Sequence, residues 1–307
     1  MSRSTTTKGL VIAVIAAASF GASGAFIKPL LEAGWSPAAA VTVRVLVGGA
    51  VLAPFALFSL RGKWSALWRG RWRVLGMAGI GVAGTQLAYF AAIQRIPVGT
   101  AILLEYIAPL LLVAVAWVLT RHTPKAVVLV GSVIALVGLV LVVSPGGGNG
   151  LDPLGLFFGI LAMIGCAVYY VVAARPSDGL PSVALAAAGL LLGGVMLSVV
   201  GVLGIVPFTG YYGELPLFGA SVPWWVPMLI VGVIATALAY ASSIAATEML
   251  GSRLASFAGL LEVVAGTFYA WILLGEQLAI WQLAGGALIL VGIAFVRSEK
   301  KELSLVE

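Results

Sequence analysis

Three charged residues lie inside long apolar runs of the sequence, where they could bind a charged ligand. They are Arg44, Glu105 and Glu262. An ionised side chain within the hydrocarbon of a membrane costs about 2.5–3.5 kcal/mol on insertion scales, so such residues usually contact substrate, protons or one another. Glu262 lies near the middle of its run, too deep for a glutamate stem to reach the headgroups. We therefore predict that Glu262 is protonated, paired or exposed to water in a cavity.

Arg44 and Glu105 are predicted to lie at similar depth. Each stands a few positions from the same end of its run, about 10 Å deep at about 1.5 Å per residue. Opposite charges at matched depth could form an ion pair, in which each offsets the cost of burying the other. Two alternatives stay open: Arg44 extends to the nearby interface, or the Glu105 carboxylate is paired without contacting substrate.

Polar side chains with apolar bodies are the next candidates for a binding site. Gln86 and Tyr89 share one face of their run, Tyr240 repeats the sequence context of Tyr89, and Tyr269 lies on the helical face of Glu262. A tyrosine ring with its polar tip suits a mixed pocket. We predict that these four residues contact the substrate together with the three charged ones, although buried tyrosines can also be purely structural.

Pro109 predicts a hinge. It follows Glu105 by four positions and cannot donate the hydrogen bond that the Glu105 carbonyl would accept in a helix. Exposed backbone inside a membrane is tolerated where it is buried in protein or lines a cavity. We expect a kink here, and a structural kink without a role in transport is the alternative.

Several kinds of chemistry are excluded by the residue inventory. The chain has one cysteine, Cys166, and one histidine, His122, so we predict no disulfide within the chain, no metal site and no catalytic residues. The glycine-rich stretch at 144–150 lacks the Lys-Ser/Thr of a phosphate-binding loop. No ATP-binding motif is present, and we predict no cofactor.

Composition indicates the elements that must position these residues. Of 307 residues, 62% are hydrophobic and 9% charged, whereas a soluble domain carries roughly a quarter charged residues. A span of hydrocarbon needs about 20 apolar residues. We predict an all-α integral membrane protein with ten transmembrane helices, at 9–31, 38–60, 73–94, 98–119, 125–144, 153–174, 181–205, 224–247, 252–274 and 278–296.

The basic residues predict the orientation of the chain. Of 17 lysines and arginines, those outside the spans lie almost wholly in the terminal segments and the even-numbered junctions. The positive-inside rule then places both termini in the cytoplasm of a multi-pass inner-membrane protein. Because the positive-inside rule explains why the basic residues lie on one side of the membrane, the high basic charge does not indicate binding of nucleic acid. We predict that the chain lies in a lipid bilayer and does not bind nucleic acid. The positions of the tryptophans are consistent with this orientation. Trp64, Trp68 and Trp72 are predicted to lie at the cytoplasmic interface of the membrane, and Trp35 is among the aromatic residues predicted at the outer interface.

An internal repeat divides the chain. Its matches are Thr85-Gln86-Leu87-Ala88-Tyr89 with Thr236-Ala237-Leu238-Ala239-Tyr240, Ala116-Trp117-Val118-Leu119 with Ala270-Trp271-Ile272-Leu273, and Gly131 and Gly138 with Gly285 and Gly292. We predict repeats at 1–147 and 148–307. Five spans each make the repeats inverted, an arrangement that places a transport site between them near mid-membrane.

The chain resembles the drug/metabolite transporter superfamily, in its EamA branch. The resemblance covers nearly the whole chain and rests on Ala108-Pro109-Leu110, the glycines of span 5, and the segment from Leu260-Leu261-Glu262 through Leu274-Gly275-Glu276 to Gly285 and Gly292. Two departures are Val263, where the family commonly has proline, and Arg121-His122, where the second repeat has Gly-Glu. The resemblance implies a transporter with a central cavity lined by both halves.

These observations predict a secondary transporter that exports amino acids or similar small polar metabolites. A pocket with both signs of charge suits a zwitterion, and Glu105 and Glu262 are candidate proton sites. One alternative is an exporter of multiple drugs or lipophilic cations. Alternatives of other classes are a membrane enzyme acting on lipid-linked substrates and a scaffold that transports nothing. Nothing in the sequence indicates an oligomeric state.

Overall fold

The described part of the chain contains ten helices long and apolar enough to cross a membrane. The structure is a computed structural model and describes residues 3–96, 98–143, 152–175, 179–275 and 279–298. Numbered as spans 1 to 10, they are Thr5–Glu32, Pro37–Ser59, Arg71–Ile93, Thr100–Thr120, Ala126–Val143, Pro153–Ala174, Ser182–Val202, Trp225–Leu250, Ser252–Leu274 and Ile280–Ser298. The predicted all-α membrane fold of ten spans is confirmed. The predicted boundary between repeats, at 147/148, lies outside the described residues, as do Glu276, Lys300 and Lys301.

The two faces of the molecule differ in composition. The face at which span 1 begins carries the arginine-rich junction 60–70 and is called the basic face. The opposite face carries a two-stranded antiparallel hairpin, β1 (Glu214–Leu217) and β2 (Ala220–Pro223), and is called the hairpin face. Both turn residues of the hairpin, Phe218 and Gly219, have positive φ, which matches the twist of paired strands.

Helix packing follows a two-fold pattern. Span 1 packs against spans 8 and 9, and span 6 packs against spans 3 and 4 in the same way. Spans 2 and 7 pack on each other, as do spans 5 and 10. Every one of these contacts joins the first five spans to the last five, so the two halves interlock around a common centre.

Glycines bring spans 5 and 10 into backbone contact. A Cβ added to Gly138 would stand 2.6 Å from the carbonyl oxygen of Gly285, and one added to Gly292 would stand 2.7 Å from that of Gly131. No side chain fits at these distances, so small residues set how closely the two helices approach. These are the four glycines that match between the repeats.

Spans 3 and 8 each contain a π-helical stretch. These are Met77–Gly84 and Val233–Leu238, and in each case the stretch meets the repeated Thr-x-Leu-Ala-Tyr sequence. A π-helical turn displaces backbone carbonyls from the regular ladder and is frequent at functional sites. In span 3 the Thr85 hydroxyl donates to the Ile80 carbonyl at 2.8 Å, which satisfies one of them.

Spans 4 and 9 are each broken into two helical segments. Span 4 contains helices Val98–Glu105 and Ala108–Thr120, and span 9 contains Ser252–Gly259 and Leu261–Leu274. The break expected near Pro109 is present, with the proline in the first turn of the second segment. Span 9 breaks at the corresponding place although Val263 stands where the first repeat has Pro109, so the proline ring is not required.

Trp35 does not belong to an interfacial belt. It is 4% exposed, its ring packs against Tyr212 and Trp224, and its indole nitrogen donates to the Tyr211 carbonyl at 2.7 Å. The residue follows the end of span 1, where the hairpin segment folds over it. Trp64, Trp68 and Trp72 are exposed on the basic face, as expected.

Candidate functional site

A cavity of about 500 Å³ lies between the two halves of the molecule. Six of the seven residues predicted to bind substrate line it. They are Arg44, Gln86, Tyr89, Glu105, Tyr240 and Glu262. The walls come from spans 1 to 6 and from spans 8 and 9, so both repeats contribute and a bound molecule would contact both.

The two carboxylates stand beside the two helix breaks. Glu105 is the last residue of the first segment of span 4, and Glu262 lies in the first turn of the second segment of span 9. The Tyr106 hydroxyl lies within hydrogen-bonding reach of the Glu262 carboxylate, whereas the Glu105 carboxylate has no hydrogen bond among the described residues. Since the positive end of a helix dipole is its N-terminus, the dipole stabilises negative charge at Glu262 and not at Glu105.

Arg44 and Glu105 do not form the predicted ion pair. In the part of the chain that the structure describes, Arg44 has no salt bridge, and its Nη1 donates to the Ser23 hydroxyl at 3.2 Å. Span 2 packs mainly on span 7 and span 4 on span 6, so equal depth leaves the two side chains apart. Both still line the cavity, and the buried Arg44 Nε has no hydrogen-bond partner.

An aromatic floor closes the cavity toward the basic face. Its rings are Phe20, Tyr169, Tyr170 and Tyr240. Centroid distances are 5.1 Å between Phe20 and Tyr240, 5.8 Å between Tyr240 and Tyr169, and 5.2 Å between Tyr169 and Tyr170, all edge to face. The Tyr169 hydroxyl donates to Ser243 at 2.8 Å, which fixes the floor to span 8.

Beneath the floor lies a void of only about 20 Å³. Its walls are mostly small side chains of spans 1, 8 and 9, among them Ala13, Ala17, Ala246 and Ala255. Phe20, Tyr170 and Glu262 border both the void and the cavity. The void therefore continues the line of the cavity toward the basic face, but it is too small for a metabolite.

The cavity extends the other way, toward the hairpin face. It reaches Val142 and Val143, the last residues of span 5 at that face. On span 4 it is lined by Ile102, Glu105 and Tyr106, all in the half of the span nearer the hairpin face. The cavity is thus asymmetric along the membrane normal, deep on the hairpin side and sealed on the basic side.

Tyr269 lies outside the cavity. It shares the helical face of Glu262, but it stands about 10 Å farther along span 9, where its ring packs edge to face on Phe268. Its assignment to the substrate site is not supported. Pro109 is buried and does not line the cavity; its role as a hinge stays a prediction.

Sequence reasoning missed the aromatic residues that form much of the wall. Tyr106, Tyr169, Tyr170 and Phe20 are uncharged, and one tyrosine in an apolar run rarely signals function. The adjacent pair Tyr169-Tyr170 was the available signal, since two polar tips in one buried turn need partners. Cys166 also lines the cavity, a point that matters for labelling experiments.

The fold and this cavity define a class of protein, the inverted-repeat membrane transporters. A family model described as the EamA-like transporter family matches residues 7–144 and 153–298. The chain belongs to that family. Membership makes it a transporter rather than an enzyme, so the alternative of a membrane enzyme is not supported.

Similar proteins agree with this assignment. The chain is 24% identical over 302 residues to a Salmonella typhimurium protein named "uncharacterized inner membrane transporter YicL", covering 96% of this chain and 97% of that one. It is 25% identical over 209 residues to an "uncharacterized transporter" of Archaeoglobus fulgidus, covering 68% and 70%. A solved crystal structure with 19% identity superposes with a TM-score of 0.75 over 96% of this chain and 98% of the other, which is a likeness of fold.

Proposed function

We propose that the protein is a secondary transporter of the inner membrane that exports amino acids or similar small zwitterionic metabolites through the cavity. The observation that carries the proposal is the presence of both signs of charge in the lining of one cavity, each with unused hydrogen-bonding capacity. Arg44 retains a buried Nε without a partner, and the Glu105 carboxylate has no hydrogen bond among the described residues. The Salmonella relative supports the inner membrane by its name.

The arrangement suits a molecule with a carboxylate and an ammonium group. Arg44 would bind the carboxylate through charge-assisted hydrogen bonds, and Glu105 or Glu262 would bind the ammonium. Gln86 and Tyr89 would bind remaining polar atoms, and the aromatic floor would pack on the apolar part. A carboxylate not used by the substrate can carry a proton, which is how export could be coupled to a proton gradient.

A second candidate function has an observation in its favour. Two carboxylates and one arginine are among the described residues that line the cavity, and tyrosine rings form its floor. Aromatic faces attract cations, so lipophilic cations are the alternative substrates. The two candidates differ in their dependence on Arg44, because only the zwitterion needs it.

The substrate experiment is counterflow in proteoliposomes with a panel of labelled amino acids and cationic dyes. Glu262→Gln is expected to reduce flux by about tenfold or more, because losing a hydrogen bond to a charged group costs about 1.5–3 kcal/mol. Glu214→Gln is the matched control, since Glu214 lies on the hairpin, does not line the cavity and accepts a hydrogen bond from the Ser221 hydroxyl. Undiminished flux in Glu262→Gln across a pH series would contradict a role in binding or coupling.

Arg44→Gln separates the two substrates. Loss of amino-acid flux with retention of dye flux would support the zwitterion, and the reverse result would support the cation. A panel in which no compound exchanges would contradict both.

A further inference from the structure

A second buried polar cluster lies outside the cavity, at the basic face. Arg73, in the first turn of span 3, donates through Nε to the Val172 carbonyl at 2.9 Å and through Nη2 to the Ala173 carbonyl at 3.0 Å. The same Nη2 lies 2.8 Å from Glu248 Oε1. The other carboxylate oxygen of Glu248 accepts from the Ser182 hydroxyl at 2.7 Å.

The cluster ties four spans together across the boundary between the repeats. Arg73 belongs to the first repeat, while Val172, Ser182 and Glu248 come from spans 6, 7 and 8 of the second. The Arg73 side chain is 6% exposed and that of Glu248 is 23% exposed. Charge-assisted hydrogen bonds in such surroundings are roughly twice as strong as neutral ones, so this contact holds the basic ends of the two halves together.

The position of the cluster matches the sealed side of the pathway. The cavity extends toward the hairpin face, and the aromatic floor and the 20 Å³ void lie on the basic side. Ser243 of span 8 contacts Tyr169 of the aromatic floor and also lines the void. Thr247, which lines the void as well, immediately precedes Glu248 on the same span. Span 8 therefore carries residues of both the void and the cluster, and a displacement of its basic end would disturb both in one step.

The hairpin face carries an ion pair of a different kind. This pair, Arg95 with Asp152, is 3.8 Å long and 35% and 42% exposed, a geometry that contributes little. By the offset of the repeat, the position of Arg73 corresponds to Trp224 and that of Glu248 to Pro97, which cannot form an ion pair. The residue types of the cluster at the basic face are therefore not repeated at the corresponding positions of the other half.

One feature of the cluster favours opening. Arg73 Nη1 is buried without a hydrogen-bond partner, and an unsatisfied buried donor is costly. Water entering from the basic face would satisfy it. The closed arrangement thus contains both the bonds that hold it and a cost that hydration of Nη1 would remove.

We propose that Arg73, Glu248 and Ser182 form a latch that keeps the pathway closed at the basic face and must break for the cavity to open there. The latch is distinct from the substrate site, and breaking it does not require a particular substrate. Glu248→Gln is the informative variant because it removes the ion pair and leaves both bonds from Arg73 to the span 6 carbonyls. Those bonds satisfy carbonyls at the end of span 6 and would remain if Arg73 were only a helix cap.

The test is cysteine accessibility in inside-out vesicles, in a Cys166→Ala background with a reporter cysteine at Ala246 in the void. A membrane-impermeant maleimide added to the basic face is expected to label the reporter about tenfold faster in Glu248→Gln than in the parent, the effect of weakening roughly one charge-assisted hydrogen bond. Ser182→Ala should give a smaller increase of the same sign. Asp152→Asn, which removes the exposed ion pair of the opposite face, is the matched control and should leave the rate unchanged.

Folding is checked by size-exclusion chromatography and thermal unfolding of each variant. Unchanged labelling in folded Glu248→Gln and Ser182→Ala would overturn the latch and leave Arg73 as a structural cap. Failure of both variants to fold would overturn it as well, since the cluster would then be required for the fold itself. Because the readout uses no substrate, failure of the proposed transport function would not affect it.

Discussion

Arg44 shows how the cost of burying a charge can be met without a counter-ion. Its guanidinium contacts the Ser23 hydroxyl and faces an open cavity rather than a carboxylate. Water or a ligand in the cavity can reach the guanidinium, whose buried Nε has no partner within the protein. A buried charge that depends on a ligand in this way is available for binding, which a pre-formed ion pair would not be.

This geometry gives a prediction about Arg44 and Glu105. Because the two residues form no direct pair but line one cavity, the double variant should recover only a small part, about 1 kcal/mol or less, of the summed losses of stability in Arg44→Ala and Glu105→Ala. Thermal unfolding of the four proteins in one detergent measures the coupling. A double variant that recovers a large part of the loss would mean that the side chains pair in the membrane after all.

At the residue scale, the sequence identified the charged residues that line the cavity but not most of the aromatic residues beside them. Charges inside apolar runs are costly, so Glu105 and Glu262 could be identified by depth alone. Depth does not specify the rotation of a helix or its neighbours, and for that reason the Arg44–Glu105 pair was wrong and Tyr106, an immediate neighbour of Glu105, was missed.

The helical elements repeat their irregularities as well as their sequence. Span 4 ends with Arg121 at φ 53° and span 9 ends with Gly275 at φ 69°. Both are left-handed caps at corresponding positions, and only glycine adopts this conformation without strain. In the first repeat the left-handed position is therefore occupied by an arginine, whereas in the second repeat it is occupied by a glycine.

The caps predict opposite effects of two substitutions. Gly275→Ala should lower the stability by about 1–2 kcal/mol, because a Cβ in the left-handed region clashes with the following carbonyl. Arg121→Gly removes such a clash and should leave stability unchanged or raise it. Thermal midpoints of the purified variants in the same detergent provide the measurement. An unaltered midpoint for Gly275→Ala would show that the cap is not strained.

The breaks in spans 4 and 9 could be predicted only in part. Pro109 predicts the break in span 4, because its ring removes a helix hydrogen bond. Val263 gives no such signal, although span 9, which packs against spans 1 and 10, is also broken into two segments. The positions of the spans themselves were predictable because each is a long apolar run, and element existence is easier to predict than element shape.

On the scale of the whole molecule, the basic and hairpin faces must lie on opposite sides of one membrane. The proposed orientation places the basic face in the cytoplasm. In a Cys166→Ala background, Ser221→Cys on the hairpin should react with an impermeant maleimide added to intact cells, and Ser65→Cys in the junction between spans 2 and 3 should react only after permeabilisation. Both serines are exposed. The opposite labelling pattern would reverse the orientation and the proposed direction of export.

The buried Arg73 lies beyond what the sequence could predict. In the chain it is one of several arginines in a basic junction, and charge counting treats them alike. Its burial depends on partners about 100 and 175 positions away. Long-range polar contacts of this kind have no local signature, so they emerge only from the assembled fold.

The contact between spans 5 and 10 has the form of a symmetric dimer interface within one chain. Gly131 meets Gly292 and Gly138 meets Gly285, and the repeat equates Gly131 with Gly285 and Gly138 with Gly292. Each pair is therefore the same contact seen from the other half, which is the defining property of an isologous interface. A five-span chain inserted into the membrane in both orientations would form this contact twice with its own copy, and the present chain joins two such units covalently.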